Sequence, residues 1–179
     1  RLAASYEARP GLVFSGSISK KLFGNLSQSR RLGGGKLPVV QSDFALYHKN
    51  AGPAIEYLTV EYFFRPAQNL YGRVTAGYLG RAFGGISSEV LWKRVNSNFA
   101  LGAELNFVRK RDYNQLLGFQ SYSVPTGHVS AYLDMNNGYS AQMDFGKYLA
   151  RDVGATFGVD RRFDNGWKAG AYFTLTNVS

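Results

Sequence analysis

The chain has 179 residues, enough for one domain, and carries 21 Lys and Arg against 12 Asp and Glu for a formal net charge of +9, a bias toward an anionic partner or surface. It has no Cys and two His, His48 and His128, which removes disulfides, thiolate metal sites and Cys nucleophiles and leaves little for an imidazole metal centre. Its 13 Phe, 12 Tyr and 2 Trp exclude disorder, and beside 21 Gly they suit short strands and tight turns better than helices.

No run reaches the roughly 18 to 20 apolar residues of a membrane helix, an exclusion that does not extend to membrane β-barrels. The chain opens at Arg1 without Met and closes at Asn177-Val-Ser179 without a terminal aromatic. Residues 1–179 therefore read as one segment of a longer protein, with no domain boundary inside it.

In chain order, Leu12, Phe14, Gly16 and Ile18 alternate with Val13, Ser15, Ser17 and Ser19 as a first strand. The stretch Gly24 to Lys36 follows as a loop holding Arg30-Arg31 and Gly33-Gly34-Gly35; the glycines lack the Gly-Lys-Ser/Thr ending and the following helix of a phosphate loop. Val39 to His48, Ala54 to Phe64, Leu70 to Leu79 and Ile86 to Arg94 read as strands joined by Lys49–Pro53, Arg65-Pro66 and Arg81–Gly85. From Phe99 the alternation sharpens, with Phe99, Leu101, Ala103, Leu105 and Phe107 on one face and Ala100, Gly102, Glu104 and Asn106 on the other. Leu116 to Val124 comes next, and Pro125 is expected to break the ladder before His128 to Met135. Asn136-Asn137-Gly138 turns the chain into Tyr139–Tyr148, and Asp164-Asn165-Gly166 joins Val153–Arg162 to Trp167–Thr176. The sum is an all-β antiparallel meander of about ten or eleven strands.

Alternation alone leaves open whether the apolar face points to a core or to lipid. The five strands starting at Phe99, His128, Tyr139, Val153 and Trp167 place only Lys147 and Arg161 as charges on the apolar face, both at strand ends where a long cation can snorkel. Their polar face carries Glu104, Asp134, Asp144, Asp160, Arg162 and Lys168 among Gly, Ser, Thr and Tyr, sparse charge for a solvated surface. Strands of roughly 9 to 11 residues tilted near 45° match the apolar band of an outer-membrane barrel, about 25 Å tall. The pattern thus favours a segment of a membrane barrel with a polar lumen; the alternative is a soluble, lipocalin-like module with an apolar cavity for a small ligand.

Two stretches carry a resemblance. Ala76 to Arg94 (AGYLGRAFGGISSEVLWKR) and Gly146 to Asn177, opening on Lys147-Tyr-Leu-Ala-Arg-Asp152, resemble the YjbH-type exopolysaccharide-biosynthesis outer-membrane proteins, with the group 4 capsule protein GfcD among their relatives. Val108–Tyr113 and Tyr122–Tyr132 fit the same pattern, so the likeness spans Val39 to Ser179. Where the family has Arg-Pro after the Glu-Val-Leu-aromatic run, Lys93-Arg94-Val95 stands here. The resemblance implies a Gram-negative outer-membrane barrel that exports or assembles extracellular or capsular polysaccharide, as conduit or scaffold and not as an enzyme. Its implied partners are the polymer, outer-membrane lipid and other polysaccharide-secretion proteins, periplasmic or lipoprotein.

The candidate contacts with an acidic polysaccharide or with lipopolysaccharide are the strand-end cations Arg109, Lys110, Arg111, Lys147, Arg151, Arg161 and Arg162, which attract anions by field and by bidentate hydrogen bonds. Tyr132, Tyr148 and Tyr172 on the polar face are candidates to stack on sugar rings. His128, Ser130 and Asp134 share a face, but residues two apart on a strand stand roughly 7 Å from one another, too far for a catalytic hydrogen bond. Asp134 and Asp144 flank one hairpin without a register that makes them a glycosidase pair. No cofactor, metal or nucleic acid is expected, the Lys and Arg being dispersed among strands instead of gathered on one face.

Overall fold

The computed structural model describes residues 1–20, 47 and 52–177. Among them the chain forms ten strands: β1 (Leu2–Arg9), β2 (Leu12–Ser19), β3 (Ala54–Ala67), β4 (Leu70–Tyr78), β5 (Phe83–Lys93), β6 (Phe99–Arg111), β7 (Phe119–Asp134), β8 (Tyr139–Lys147), β9 (Val153–Arg162) and β10 (Lys168–Thr176). They make one antiparallel sheet in chain order from β1 to β10, so each end strand has a single neighbour and the sheet is open. The loop Gly24–Lys36 and the strand expected at Val39–His48 lie outside the described residues, apart from Tyr47.

Turn chemistry accounts for the hairpins. Asn136 and Gly138 both take left-handed φ, 60° and 79°, and Gly166 takes 87°, the conformations Asn and Gly tolerate at least cost. The departure from the family at Lys93-Arg94-Val95 keeps its turn, closed by the Ser97 amide donating to the Arg94 carbonyl with Asn96 at φ 60°.

Four boundaries differ from the expectation. β1 precedes the first anticipated strand and joins β2 through Pro10-Gly11. β3 runs on through Arg65-Pro66, since a missing donor is tolerated near a strand end. β5 begins at Phe83, through two glycines that resemble a loop; Gly85 sits at φ 154°, and a Cβ there would strike the Phe107 carbonyl, so β5 presses on β6 only without a side chain. Pro125 does not interrupt β7. The β7–β8 ladder starts at Gly127↔Lys147, so Pro125 lies where β7 has outrun that partner and needs no amide for it.

Two compact units divide the chain. The first holds Arg1–Phe63, Val74–Ser87 and Asn106–Val124, and its enclosed side chains are mainly polar: Ser17, Glu56, Thr59, Arg111 and Gln115 are buried. Glu56 there accepts from Ser17 Oγ (3.1 Å), pairs with Arg1 Nε (2.9 Å) and pairs with Arg81. The second holds Phe64–Arg73, Ser88–Leu105 and Pro125–Ser179. Its apolar faces carry exposed side chains, Val129, Leu133, Phe145, Met143, Phe157, Val159 and Phe173, while on the opposite face Ser130, Asp144, Thr156 and Asp160 are half-buried and Gln142 and Tyr172 exposed.

Candidate functional site

The basic triplet that ends β6 is not one surface. Arg109 is exposed and donates through Nε to the Gln120 carbonyl at 2.6 Å. Lys110 is buried, with its ammonium 5.6 Å from the Tyr113 ring centre. Arg111 is 0% exposed. Its two terminal nitrogens donate to four carbonyls, those of Ile55 (2.9 Å), Gly80 (2.7 Å), Gln115 (2.8 Å) and Leu116 (2.9 Å), and its plane lies 4.4 Å from the Tyr78 ring centre. Tyr47 and Gln120 close the knot by donating to the Arg111 carbonyl at 3.0 and 2.8 Å. Arg111 and Lys110 are thus interior groups and not the rim contacts expected, because the fork of Arg111 ties the start of β3 to carbonyls of the β4–β5 and β6–β7 connections.

In the second unit the cations divide between opposite strand ends. Lys147 closes β8 and Arg151 occupies the β8–β9 turn at φ 70°. Arg161 and Arg162 end β9 at its other extremity, and Arg161 stacks over Tyr139 and Phe163 at 4.9 and 4.6 Å. Lys168 pairs with Asp160 at 3.0 Å. These positive groups do not converge on one binding surface.

The polar face of β7–β10 does converge. Cross-strand register sets Tyr132 opposite Gln142, Gln142 opposite Gly158 and Gly158 opposite Tyr172, one rung across four strands. The next rung is Ser130, Asp144, Thr156 and Thr174. Ser130 Oγ donates to Asp144 Oδ1 at 2.5 Å, Gln142 Nε2 reaches both Asp144 oxygens at 2.9 Å, and the Thr156 hydroxyl bonds those of Thr174 (2.8 Å) and Tyr148 (2.6 Å). A groove of about 420 Å³ lies over this grid, bordered by Gln142, Asp144, Thr156, Asp160, Lys168 and Tyr172. Tyr172 borders the groove, whereas the Tyr132 ring lies over Gly102 of β6 and Tyr148 leans on His128, ring centres 4.7 Å apart. Ser130 bonds Asp144 and not His128, whose Nε2 has no hydrogen-bond partner, so the two are not a nucleophile and its base.

Gln142 and Thr156 were not singled out from the sequence, and Asp144 entered only beside Asp134 as a carboxylate pair. Their convergence depends on strand register, which residue types alone do not give. The matching periods of the two hairpins, read from Asn136–Gly138 and Asp164–Gly166, were the available signal.

A family model described as "Exopolysaccharide biosynthesis protein YbjH", named YjbH, matches residues 1–179. The chain belongs to this family. It is also 37% identical, over 148 residues, to "Uncharacterized lipoprotein YjbH" of Escherichia coli (strain K12), an alignment covering 80% of this chain and 21% of that protein. The chain therefore spans about a fifth of the length of the curated relative it matches. No solved structure matches. The family description concerns exopolysaccharide biosynthesis.

Proposed function

We propose that this chain is a segment of a Gram-negative outer-membrane β-barrel that conducts or scaffolds extracellular polysaccharide, with the polar face toward the lumen and the apolar face toward lipid. The carrying observation is inverted burial. Ser17, Glu56, Thr59, Thr75, Arg111, Gln115 and Thr126 are enclosed, while Phe145 (58% exposed) and Val129 (59% exposed) stand in the open with Leu133, Met143, Phe157, Val159 and Phe173. Water would penalise such a stripe, and hydrocarbon would not. Enclosed polar groups that bond one another are what a polar lumen needs, each contact too weak to trap a polymer.

A lipocalin-like module would have the opposite arrangement, its apolar faces enclosing the cavity. The E. coli relative's description as a lipoprotein accords with membrane attachment. Family membership supports a polysaccharide role, and the role proposed is passive, without catalysis. Outer-membrane lipid and other secretion proteins are the expected partners. The test is fractionation of the full-length parent with a semi-native gel. Recovery in the outer membrane with a heat-dependent mobility shift is expected; recovery in a soluble fraction without detergent overturns the reading.

A further inference from the structure

We propose that the apolar face of β7–β9 holds a site for one glycerophospholipid, its phosphate on Arg161 and an acyl chain in the groove beside it. This rests on the membrane reading above and adds to it a fixed lipid and the leaflet that supplies it. The first observation is a cation without an anion. Arg161 is exposed on the apolar face, directly opposite Tyr139 of β8 on one side and Ala169 of β10 on the other. Its guanidinium lies 4.9 Å from the Tyr139 ring centre and 4.6 Å from that of Phe163. Among the described residues no carboxylate pairs with it. Asp160 belongs to the opposite face, where Lys168 holds it at 3.0 Å, and Asp164 in the following turn makes no ion pair. The two rings therefore hold the guanidinium without using its N–H donors, and small Ala169 leaves the β10 side clear. A fork of N–H donors so placed fits a phosphate through two parallel hydrogen bonds.

The second observation is an apolar groove of about 220 Å³ on the same face, bordered by Phe99, Leu133, Ala141, Met143, Phe157 and Val159. Register explains it: Ala141 stands between Leu133 and Val159 on one rung, and Met143 opposite Phe157 on the next, so larger side chains flank a methyl floor. Val159 precedes Arg161 by two residues on β9, roughly 7 Å along the strand. A hydrocarbon chain in the groove thus has its polar end beside the guanidinium, the spacing that one lipid molecule supplies. The end of β9 where Arg161 stands also selects the leaflet. The connections at that end of the meander are the short ones, residues 10–11, 68–69, 94–98, 135–138 and 163–167, whereas β2 and β3 are joined at the other end across residues 20–53. Short turns of outer-membrane barrels face the periplasm. The leaflet on that side is phospholipid, so the phosphate is that of a glycerophospholipid and not of lipid A.

The experiment is native mass spectrometry of the full-length parent in detergent micelles with phosphatidylglycerol, the matching diacylglycerol without phosphate, and lipid A. Phosphatidylglycerol is expected to be retained more tightly than either of the others. Arg161→Met should weaken it about tenfold, the loss of one charge-assisted contact. Two further variants leave Arg161 in place and should weaken phosphatidylglycerol as well: Ala141→Phe fills the groove, and Ala169→Glu sets a carboxylate opposite the guanidinium. Equal retention of diacylglycerol, tighter retention of lipid A, or phosphatidylglycerol affinity unchanged by Arg161→Met or by Ala141→Phe overturns the proposal. The heat-shift gel on the same preparations shows which variants fold, and it reports on the barrel independently of any lipid result.

Discussion

Arg111 shows why a residue type does not reveal its work. In the sequence it is the last of three adjacent cations, the usual mark of a solvated strand end. In the structure its guanidinium reaches carbonyls from Ile55, Gly80, Gln115 and Leu116, three segments far apart in the chain. A net hydrogen bond is worth about 1 kcal/mol, so Arg111→Met, which removes four, is expected to lower stability by roughly 2 kcal/mol or more. Arg111→Lys should lose much of the same, since one ammonium cannot reproduce a planar fork. Urea titration of the refolded full-length protein, read by the heat-shift gel, measures both, and a wild-type midpoint for Arg111→Met would remove Arg111 from this role. No sequence signal marked Arg111 off from Arg109, because only the folded proximity of Ile55, Gly80 and Leu116 makes one buried and leaves the other exposed.

The elements were more legible than the site, and for a physical reason. β8, β9 and β10 follow from strict alternation bounded by Asn-Gly turns, because a strand with two unlike faces has to repeat every two residues. β7 defeated the same logic, since Pro125 carries a rule about amides that matters only where a partner strand is present. β5 hid its start behind Gly84 and Gly85, where close approach to β6 and not a turn demanded glycine. The faces of these strands make a further prediction. Phe157, midway along β9 and stacked on Phe173 at 5.2 Å, lies on the apolar face, while Thr174 on the neighbouring β10 lies on the polar one. Phe157→Arg should cost about 2–4 kcal/mol in a bilayer, the range for a cation near the midplane of a barrel's lipid face. Thr174→Arg should fall within about 1 kcal/mol of wild type, because under the proposed barrel reading it adds a charge only to a hydrated lumen. Unfolding in vesicles compares the two, and equal costs would contradict the assignment of faces.

At the scale of the whole molecule, the open sheet and the inverted faces have to be reconciled. Among the described residues, β1 and β10 each leave a row of backbone donors and acceptors on their outer edges, and hydrocarbon tolerates none of these unpaired. A barrel reading therefore requires strands from elsewhere in the parent, which fits a chain spanning a fifth of its relative. The absence of Cys in these 179 residues makes the face assignment directly measurable. Single cysteines placed along β8, from Ser140 to Phe145 in a parent cleared of any others, should alternate when the folded protein sits in vesicles. Ala141, Met143 and Phe145 should react with a lipid-soluble maleimide and resist a charged one, and Ser140, Gln142 and Asp144 should do the reverse. Equal access of the charged reagent to both sets would mean that both faces see water, leaving the exposed apolar stripe as a surface for a protein partner. Reversed alternation would put the apolar face in an enclosed core and restore the soluble module. Only alternation in the stated sense joins the burial pattern, the open edges and the polar groove in one membrane-spanning structure.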